Sequence, residues 1–386
     1  MRIGIAALGD VSGDTGGRNY IEHFLRTLYS VGTDHSIVLF LSEGQVEKLD
    51  LGIAQPETVV VPNSSRSPLH KVFGEQFKLP SLIRKSKIEV MYFPGNFASY
   101  RCPVPYVVNI RAVPHYYGNA YGVGFSRRIM RQLLMPFSAE RAAKIITPSE
   151  DIKRDVVRFI GVKAEQIEVI PHGVDTSLFD GEKNRSDARG LEVLTRYDLE
   201  NNNYILYVSA LWQYKNQDKL IEAHARLVKA TGREIVLVLA GKGTGNDPSY
   251  LERVHALPTS LGTGHLVRFA GQLKQQELRY LYASATAFVF PSSYESFGNP
   301  IFESWASGIP IATSNVHSFP EIVGDAGLLF DPNDAASFDR ALHAIVGDEQ
   351  CRKMLIEKGL QRVKAFTWER CIMRTLSLLE DVKRFV

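Results

Sequence analysis

The chain has 386 residues, 45% of them hydrophobic and 23% charged, with a formal net charge of +3. That length exceeds what one core usually serves and that composition excludes a disordered chain, so two folded domains are expected. Residues 1–170 carry 21 Lys and Arg against 16 Asp and Glu and residues 171–386 carry 24 against 26, an asymmetry far too small for a nucleic-acid binder, which excludes nucleic acid as a partner.

Three cysteines, Cys102, Cys351 and Cys371, make neither a disulfide framework nor a metal-ligand pair. The opening apolar run is too short for a signal peptide and reads as a first strand, and no stretch approaches the roughly 20 apolar residues of a membrane span. A cytoplasmic setting is expected, or a peripheral one at the inner face of the membrane.

Short apolar runs predict strands at 3–8, 36–41, 90–93, 104–110, 144–147 and 167–170, with helical patterns between most of them. Residues 180–203 turn polar and read as a linker or an exposed excursion. A second series follows, with strands at 204–208, 235–240, 266–269, 287–290 and 309–313. Strand and helix in alternation is the pattern of parallel sheets with helical crossovers. The expectation is an α/β protein of two Rossmann-like, doubly wound domains, 1–175 and 176–367, with the last helix, 368–386, packing back on the first. In such sheets ligands lie outside the carboxyl ends of the strands, so the loops after strands should carry the chemistry.

After the first strand, residues 9–18 hold Gly9, Gly13, Gly16 and Gly17 before a helix, which suits either a tight turn or a close backbone approach to a ligand. After 107–110 come Arg111, His115, Tyr116, Tyr117 and Tyr121, candidates for an acceptor platform or for plain core. Residues 125–135, with Arg127, Arg128 and Arg131, read as a basic amphipathic helix. It could lie on an anionic membrane, but a solvated arginine face is the preferred reading. Lys215 sits in the loop after 204–208, ahead of a helix.

The densest signal follows 287–290. Glu295 and Glu303 flank a helix start in which Asn299 is the expected N-cap, Pro300 the first helical residue and Gly308 the stop. A helix opening toward the carboxyl ends of the strands favours a diphosphate, and carboxylates accept hydrogen bonds from sugar hydroxyls. Taken alone, the two glutamates are better read as a helix-start preference at Glu303 and a solvated loop residue at Glu295.

The context resolves this. The segment from Pro291 to Pro310, together with the stretch from Pro171 to Asp175, the turn around Val267 to Leu273, and the runs at 320–324 and 327–332, resembles family 4 of the retaining GT-B glycosyltransferases. The resemblance is dense over residues 144–345. It implies the GT-B fold, two Rossmann-like domains facing each other across a cleft. It also implies that Glu303 holds the nucleotide ribose, Glu295 the transferred sugar, Leu273 the base turn, and Phe297, Gly298, Asn299 and Pro300 the sugar and diphosphate through backbone and shape. Lys215 matches the family's diphosphate lysine, and Gly16 and Gly17 the glycines near the reaction centre. Two positions depart from the family: Ala210 stands where an arginine is common, and Arg111 where many relatives place a histidine, with His115 four residues on.

What the resemblance implies for activity is retaining transfer of a hexose from a UDP- or GDP-sugar to a saccharide or lipid-linked acceptor in cell-surface polysaccharide synthesis, without metal or other cofactor. The sequence contains no Asp-x-Asp pair to anchor a divalent ion. A silent nucleotide-sugar-binding partner subunit and a GT-B epimerase or phosphorylase are the competing readings.

Overall fold

A computed structural model describes residues 1–8, 16–43, 56–62, 73–117, 125–200, 203–243 and 247–384. It divides into two compact units, one made of Met1–Tyr117, Val123–Gly173 and Trp368–Val386, the other of Gly118–Gly122 and Val174–Thr367.

The first unit is built on strands β1 (Arg2–Ala6), β2 (Ser36–Ser42), β3 (Glu57–Val61), β4 (Val90–Phe93), β5 (Tyr106–Asn109), β6 (Lys144–Thr147) and β7 (Ile167–Val169). They form a parallel sheet in the order β3-β2-β1-β4-β5-β6-β7. Strands covered on both faces lose polar alternation and become continuous apolar runs, as Val90, Met91 and Tyr92 do. Ile3, Ile5, Leu39 and Tyr92 face one core, and Val38, Phe40 and Met91 the other. Gly4 leaves room for the Met91 side chain in the core, since a Cβ there would lie 2.2 Å from Met91 Sδ.

Helix Trp368–Arg384 belongs to this unit. Its Ile372, Leu376 and Leu379 share a core with Phe24, Leu25 and Leu28 of helix Gly16–Val31. Edge strand β3, absent from the sequence expectations, is short and half-exposed, so its apolar residues do not form the buried run that marks an inner strand.

The second unit has β8 (Tyr204–Val208), β9 (Val236–Ala240), β10 (Val267–Gly271), β11 (Ala287–Phe290), β12 (Ile311–Ser314) and β13 (Leu328–Phe330), parallel and ordered β10-β9-β8-β11-β12-β13. Both units are therefore doubly wound α/β sheets.

Residues 180–203 are not a plain linker. They hold two short helices, Gly181–Ser186 and Arg189–Thr195, and bury Val193 and Leu199. Asp180 caps the first by accepting from the Lys183 N–H (3.0 Å), and Asn184 Nδ2 donates to the Leu178 carbonyl (2.8 Å). Asp187 then accepts from Arg189 (2.7 Å) and Tyr280 (2.8 Å), docking the segment on helix Gln275–Ser284. Its polarity serves caps and docking contacts, which composition alone cannot separate from solvation.

Candidate functional site

In the second sheet the winding direction reverses between β8 and β11, and the crevice outside the carboxyl ends of two such strands is where doubly wound sheets bind ligands. The loops that follow these two strands carry Lys215 and Glu295. Asn216 adopts the left-handed region at φ +55°, and its side chain donates to the Pro291 carbonyl (2.7 Å) and Ser293 Oγ (2.7 Å). The Ser293 N–H in turn donates to the Tyr214 carbonyl (2.7 Å), so the two loops are stitched together at the switch point.

This stitching brings Lys215 Nζ against Glu295 Oε1 in an ion pair whose side chains are only 9% and 16% exposed. Burial disfavours the Lys215 ammonium, but Glu295 and Tyr214 more than offset it, so the lysine pKa lies above its ordinary value. The ammonium also lies 4.9 Å from the Tyr214 ring centre and 5.5 Å from that of Phe290. Glu295 is held by its backbone too: Ser318 Oγ donates to its carbonyl (3.0 Å). Among the described residues its side-chain contacts, with Lys215 and Ser292 (3.4 Å), both fall on Oε1.

Behind Lys215, the buried Gln217 donates to Tyr207 Oη (2.8 Å) and the Ala210 carbonyl (3.0 Å) and accepts from Tyr250 Oη (2.8 Å). The loop containing Ala210 is thereby fixed from within.

Helix Asn299–Ala306 starts one residue earlier than the sequence suggested. Gly298, at φ +74°, is the N-cap, Asn299 is the first helical residue and Pro300 the second, and no side chain caps the end. Gly298 is required by space as well as by φ: a Cβ would lie 2.8 Å from Phe319 Cε1. Because Pro300 has no N–H, Gly298 and Asn299 carry the amides that a helix start leaves unpaired. Asn299 is exposed, whereas the Phe297 ring stacks on Phe302 (4.4 Å) inside the core, leaving only its backbone at the surface of the loop. Gly308, at φ +67°, follows the helix end as expected.

Glu303 lies on the same helix, one turn in, and keeps part of its side chain accessible. Burial raises its pKa to about 7, with the neighbouring Tyr282 hydroxyl pulling the other way. A carboxyl poised at this value takes or loses its proton according to what contacts it. Leu273 follows β10 and is half-buried against the core of the unit, beside Gly271 at φ +66°.

In the first unit Gly16 and Gly17 open helix Gly16–Val31. One turn further on, Tyr20 Oη lies 2.7 Å from Tyr92 Oη, and Asn109 Nδ2 donates to Tyr92 Oη (3.1 Å). The Arg111 guanidinium stands 5.4 Å from the Tyr20 ring centre, and the Arg111 backbone N–H donates to Asn96 Oδ1 (2.7 Å). Arg111 and the start of the glycine helix are thus brought together at the carboxyl edge of this sheet. Burial, reinforced by Arg111, holds the nearby His172 imidazole neutral with a pKa near 3.

His115 is only 1% exposed, and burial with Arg131 and Arg128 nearby lowers its pKa to about 4. It presents no charged imidazole at neutral pH. Tyr116 stacks on Phe159 (5.2 Å) and Tyr117 donates to Asp155 Oδ1 (2.6 Å), so both are engaged in packing. Residues 9–15 and 118–124, including Gly9, Gly13 and Tyr121, lie outside the described residues.

The sequence reading missed Asn216, Ser293, Gln217 and Tyr282. Asn next to Lys before a helix is a turn signal. The partners of the other three are distant in sequence, and no local pattern announces them.

The pattern of the family described as "Glycosyltransferase Family 4" matches residues 15–178, and that of "Glycosyl transferases group 1" matches residues 196–362. The chain is similar to O-antigen chain mannosyltransferase B of Escherichia coli, 33% identical over 62% of this chain and 61% of that protein. It is also similar to a D-inositol 3-phosphate glycosyltransferase of Thermobifida fusca, 28% identical over 62% and 55%. Matches to eight such curated relatives span 54–64% of their lengths. Among solved structures, a glycosyltransferase of Rickettsia africae superposes with a TM-score of 0.79 at 18% identity over 99% and 98% of the chains. Anabaena HepE in complex with UDP and glucose superposes at 0.77 and 17% over 99% and 100%. With family patterns covering most of both units and this fold beneath them, the chain belongs to the group 1 glycosyltransferases of the two-domain GT-B fold.

Proposed function

We propose that the protein transfers a hexose from a UDP- or GDP-sugar to a saccharide or lipid-linked acceptor, with retention at the anomeric carbon and without a metal ion. The observation that carries this reading is the Lys215–Glu295 pair, held at the switch point of β8 and β11 beside the start of helix Asn299–Ala306. A buried ammonium and a helix start place positive potential where a diphosphate would lie. Glu295 fixes the ammonium and directs a sugar hydroxyl, while Glu303 takes the ribose hydroxyls and Leu273 packs on the base. Backbone and shape from Phe297 to Pro300 complete the donor site.

In the simplest step a donor phosphate oxygen takes the acceptor hydroxyl proton while that hydroxyl attacks the anomeric carbon from the face the diphosphate leaves. The new glycosidic bond forms as the sugar–phosphate bond breaks, and the nucleoside diphosphate departs with the proton. Lys215 and the helix amides stabilise the negative charge that builds on the leaving group. Likeness to a mannosyltransferase of O-antigen synthesis supports mannose as the first sugar to test and a surface polysaccharide as the setting. Likeness to a structure holding UDP supports a nucleotide donor.

The test is thermal stabilisation by a panel of nucleoside diphosphates and nucleotide sugars in EDTA, for wild type and Glu303→Ala. A rise with one base, lost in the variant, is expected; no rise with any ligand overturns the donor site. The anomeric configuration of product, read by NMR, decides retention. A second reading, a donor-binding subunit without turnover, draws on Ala210, which leaves the diphosphate one cation short of the family pattern. Turnover by the purified chain alone separates the two.

A further inference from the structure

The carboxyl edge of the second sheet carries a row of loops in the order set by β10, β9, β8 and β11. The donor reading proposed above uses Leu273 after β10, Lys215 after β8 and Glu295 after β11. The loop after β9 holds Gly241, Lys242 and Gly243 and lies between the base turn and the Lys215 loop, yet it has no role in that reading.

Pairing of β8 with β9 does not stop where the two strands end. Val208 pairs with Ala240, and three residues further along both segments Leu211 pairs with Gly243 in a parallel bridge. The Ser209 N–H donates to the Ala240 carbonyl (3.0 Å) and the Leu211 N–H to the Lys242 carbonyl (3.0 Å), so the ladder runs on in unchanged register. Ala210 and Lys242 are therefore neighbours across the ladder. Because side chains alternate along extended backbone, the two leave it on the same face. Gly241 permits this approach, since a Cβ there would lie 1.8 Å from the Ser209 carbonyl oxygen.

The charge of Lys215 is matched by Glu295, so that pair adds little net positive charge for a diphosphate, which leaves as a polyanion, and Ala210 adds none. Other cations of the unit are engaged. Lys219 donates to the Pro332 carbonyl and to Asn333 (both 2.9 Å), and Arg253 stands 3.5 Å from Asp218. Lys242 is exposed, and among the described residues its ammonium makes no hydrogen bond or ion pair.

We propose that Lys242 is a donor-site residue whose ammonium lies over Ala210 and binds the diphosphate of the nucleotide sugar, opposite Lys215 on the neighbouring loop. A compact ammonium on a flexible stem serves phosphate oxygens as a point charge. The small side chain at Ala210 leaves room on that face for the longer one beside it. The inference rests on the donor reading of Lys215 and Glu295, and it supplies the cation whose shortage the second reading, a subunit without turnover, draws on.

The test is calorimetric titration of the full chain with UDP and with GDP in EDTA, at low and high salt. The proteins are wild type, Lys242→Gln, Lys242→Arg, and Lys242→Gln combined with Ala210→Arg. For the diphosphate that binds, Lys242→Gln should be about tenfold weaker at low salt, with the gap closing as salt is raised. Lys242→Arg should stay within about threefold of wild type, and Ala210→Arg should recover most of what Lys242→Gln loses. Melting without nucleotide reports folding, and Lys242→Gln should melt as wild type does because position 242 is exposed. Unchanged affinity in Lys242→Gln, or an equal loss in Lys242→Arg, overturns the proposal and leaves the donor site standing. A wild type that binds neither diphosphate overturns the donor reading and this inference with it.

Discussion

Glu303 and Lys215 are side chains whose environment makes numerical claims. The Glu303 carboxyl is held near pKa 7 by burial, against an ordinary value of about 4.3 in an unfolded chain. Below about pH 4.3 both states hold the proton; between there and pH 7 only the folded state does, so its stability falls as pH rises and then levels off. Glu303→Gln should therefore gain on wild type across that window, by on the order of 1–2 kcal/mol once water at its accessible face is allowed for, read as a Tm difference that widens from pH 5 to pH 8. If ribose hydroxyls donate to Glu303, nucleotide binding near pH 6.5 releases protons. Calorimetry in buffers of different ionisation heat should detect that release, and its absence would assign the ribose elsewhere. For the ion pair, Lys215→Ala leaves Glu295 buried without its cation and should cost roughly 2–4 kcal/mol, with part recovered when Glu295→Gln is added. Denaturant melts of the four proteins in that cycle measure the coupling.

At the scale of elements, the device that matters is the start of helix Asn299–Ala306. Its position depends on Gly298, which combines a positive φ with close contact to Phe319. Gly298→Ala should lower stability by about 1–3 kcal/mol and weaken nucleoside diphosphate binding, because the helix start must shift to admit the methyl group. Asn299→Ala should be nearly neutral in stability, since that side chain is exposed and caps nothing. A large loss there would mean the N-cap lies at Asn299 after all. Glu295, four residues before the first residue of this element, was legible as a candidate because loop and helix are contiguous in sequence. Its bond to Lys215 was not legible, since the pairing spans 80 residues and depends on β8 lying beside β11.

For the molecule as a whole, every donor-side candidate from Lys215 to Glu303 falls within Val174–Thr367. A fragment of those residues should melt cooperatively and bind the same nucleoside diphosphate as the full chain, within about tenfold in affinity. Isothermal calorimetry on the fragment checks it. Removing residues 368–386 should instead strip Ile372, Leu376 and Leu379 from the core of the first unit, producing early melting and protease sensitivity at Phe24, Leu25 and Leu28.

The sequence alone determined the two α/β units, their inner strands and the family, because buried parallel strands and the segment around Glu295 and Glu303 leave contiguous patterns. Edge strands β3 and β13 left none, being short and half-covered. Residues 180–203 misled in the opposite direction, because caps and docking hydrogen bonds look like solvation when only composition is visible. That helix Phe125–Glu140 turns Ile129, Leu133 and Phe137 to solvent was hidden for a related reason: periodicity reveals an amphipathic helix but not which side the sheet will cover. Tertiary structure decided that, as it decided the partners of Lys215, Asn216 and Glu303, because burial and pairing are set by strand order and packing across long stretches of chain.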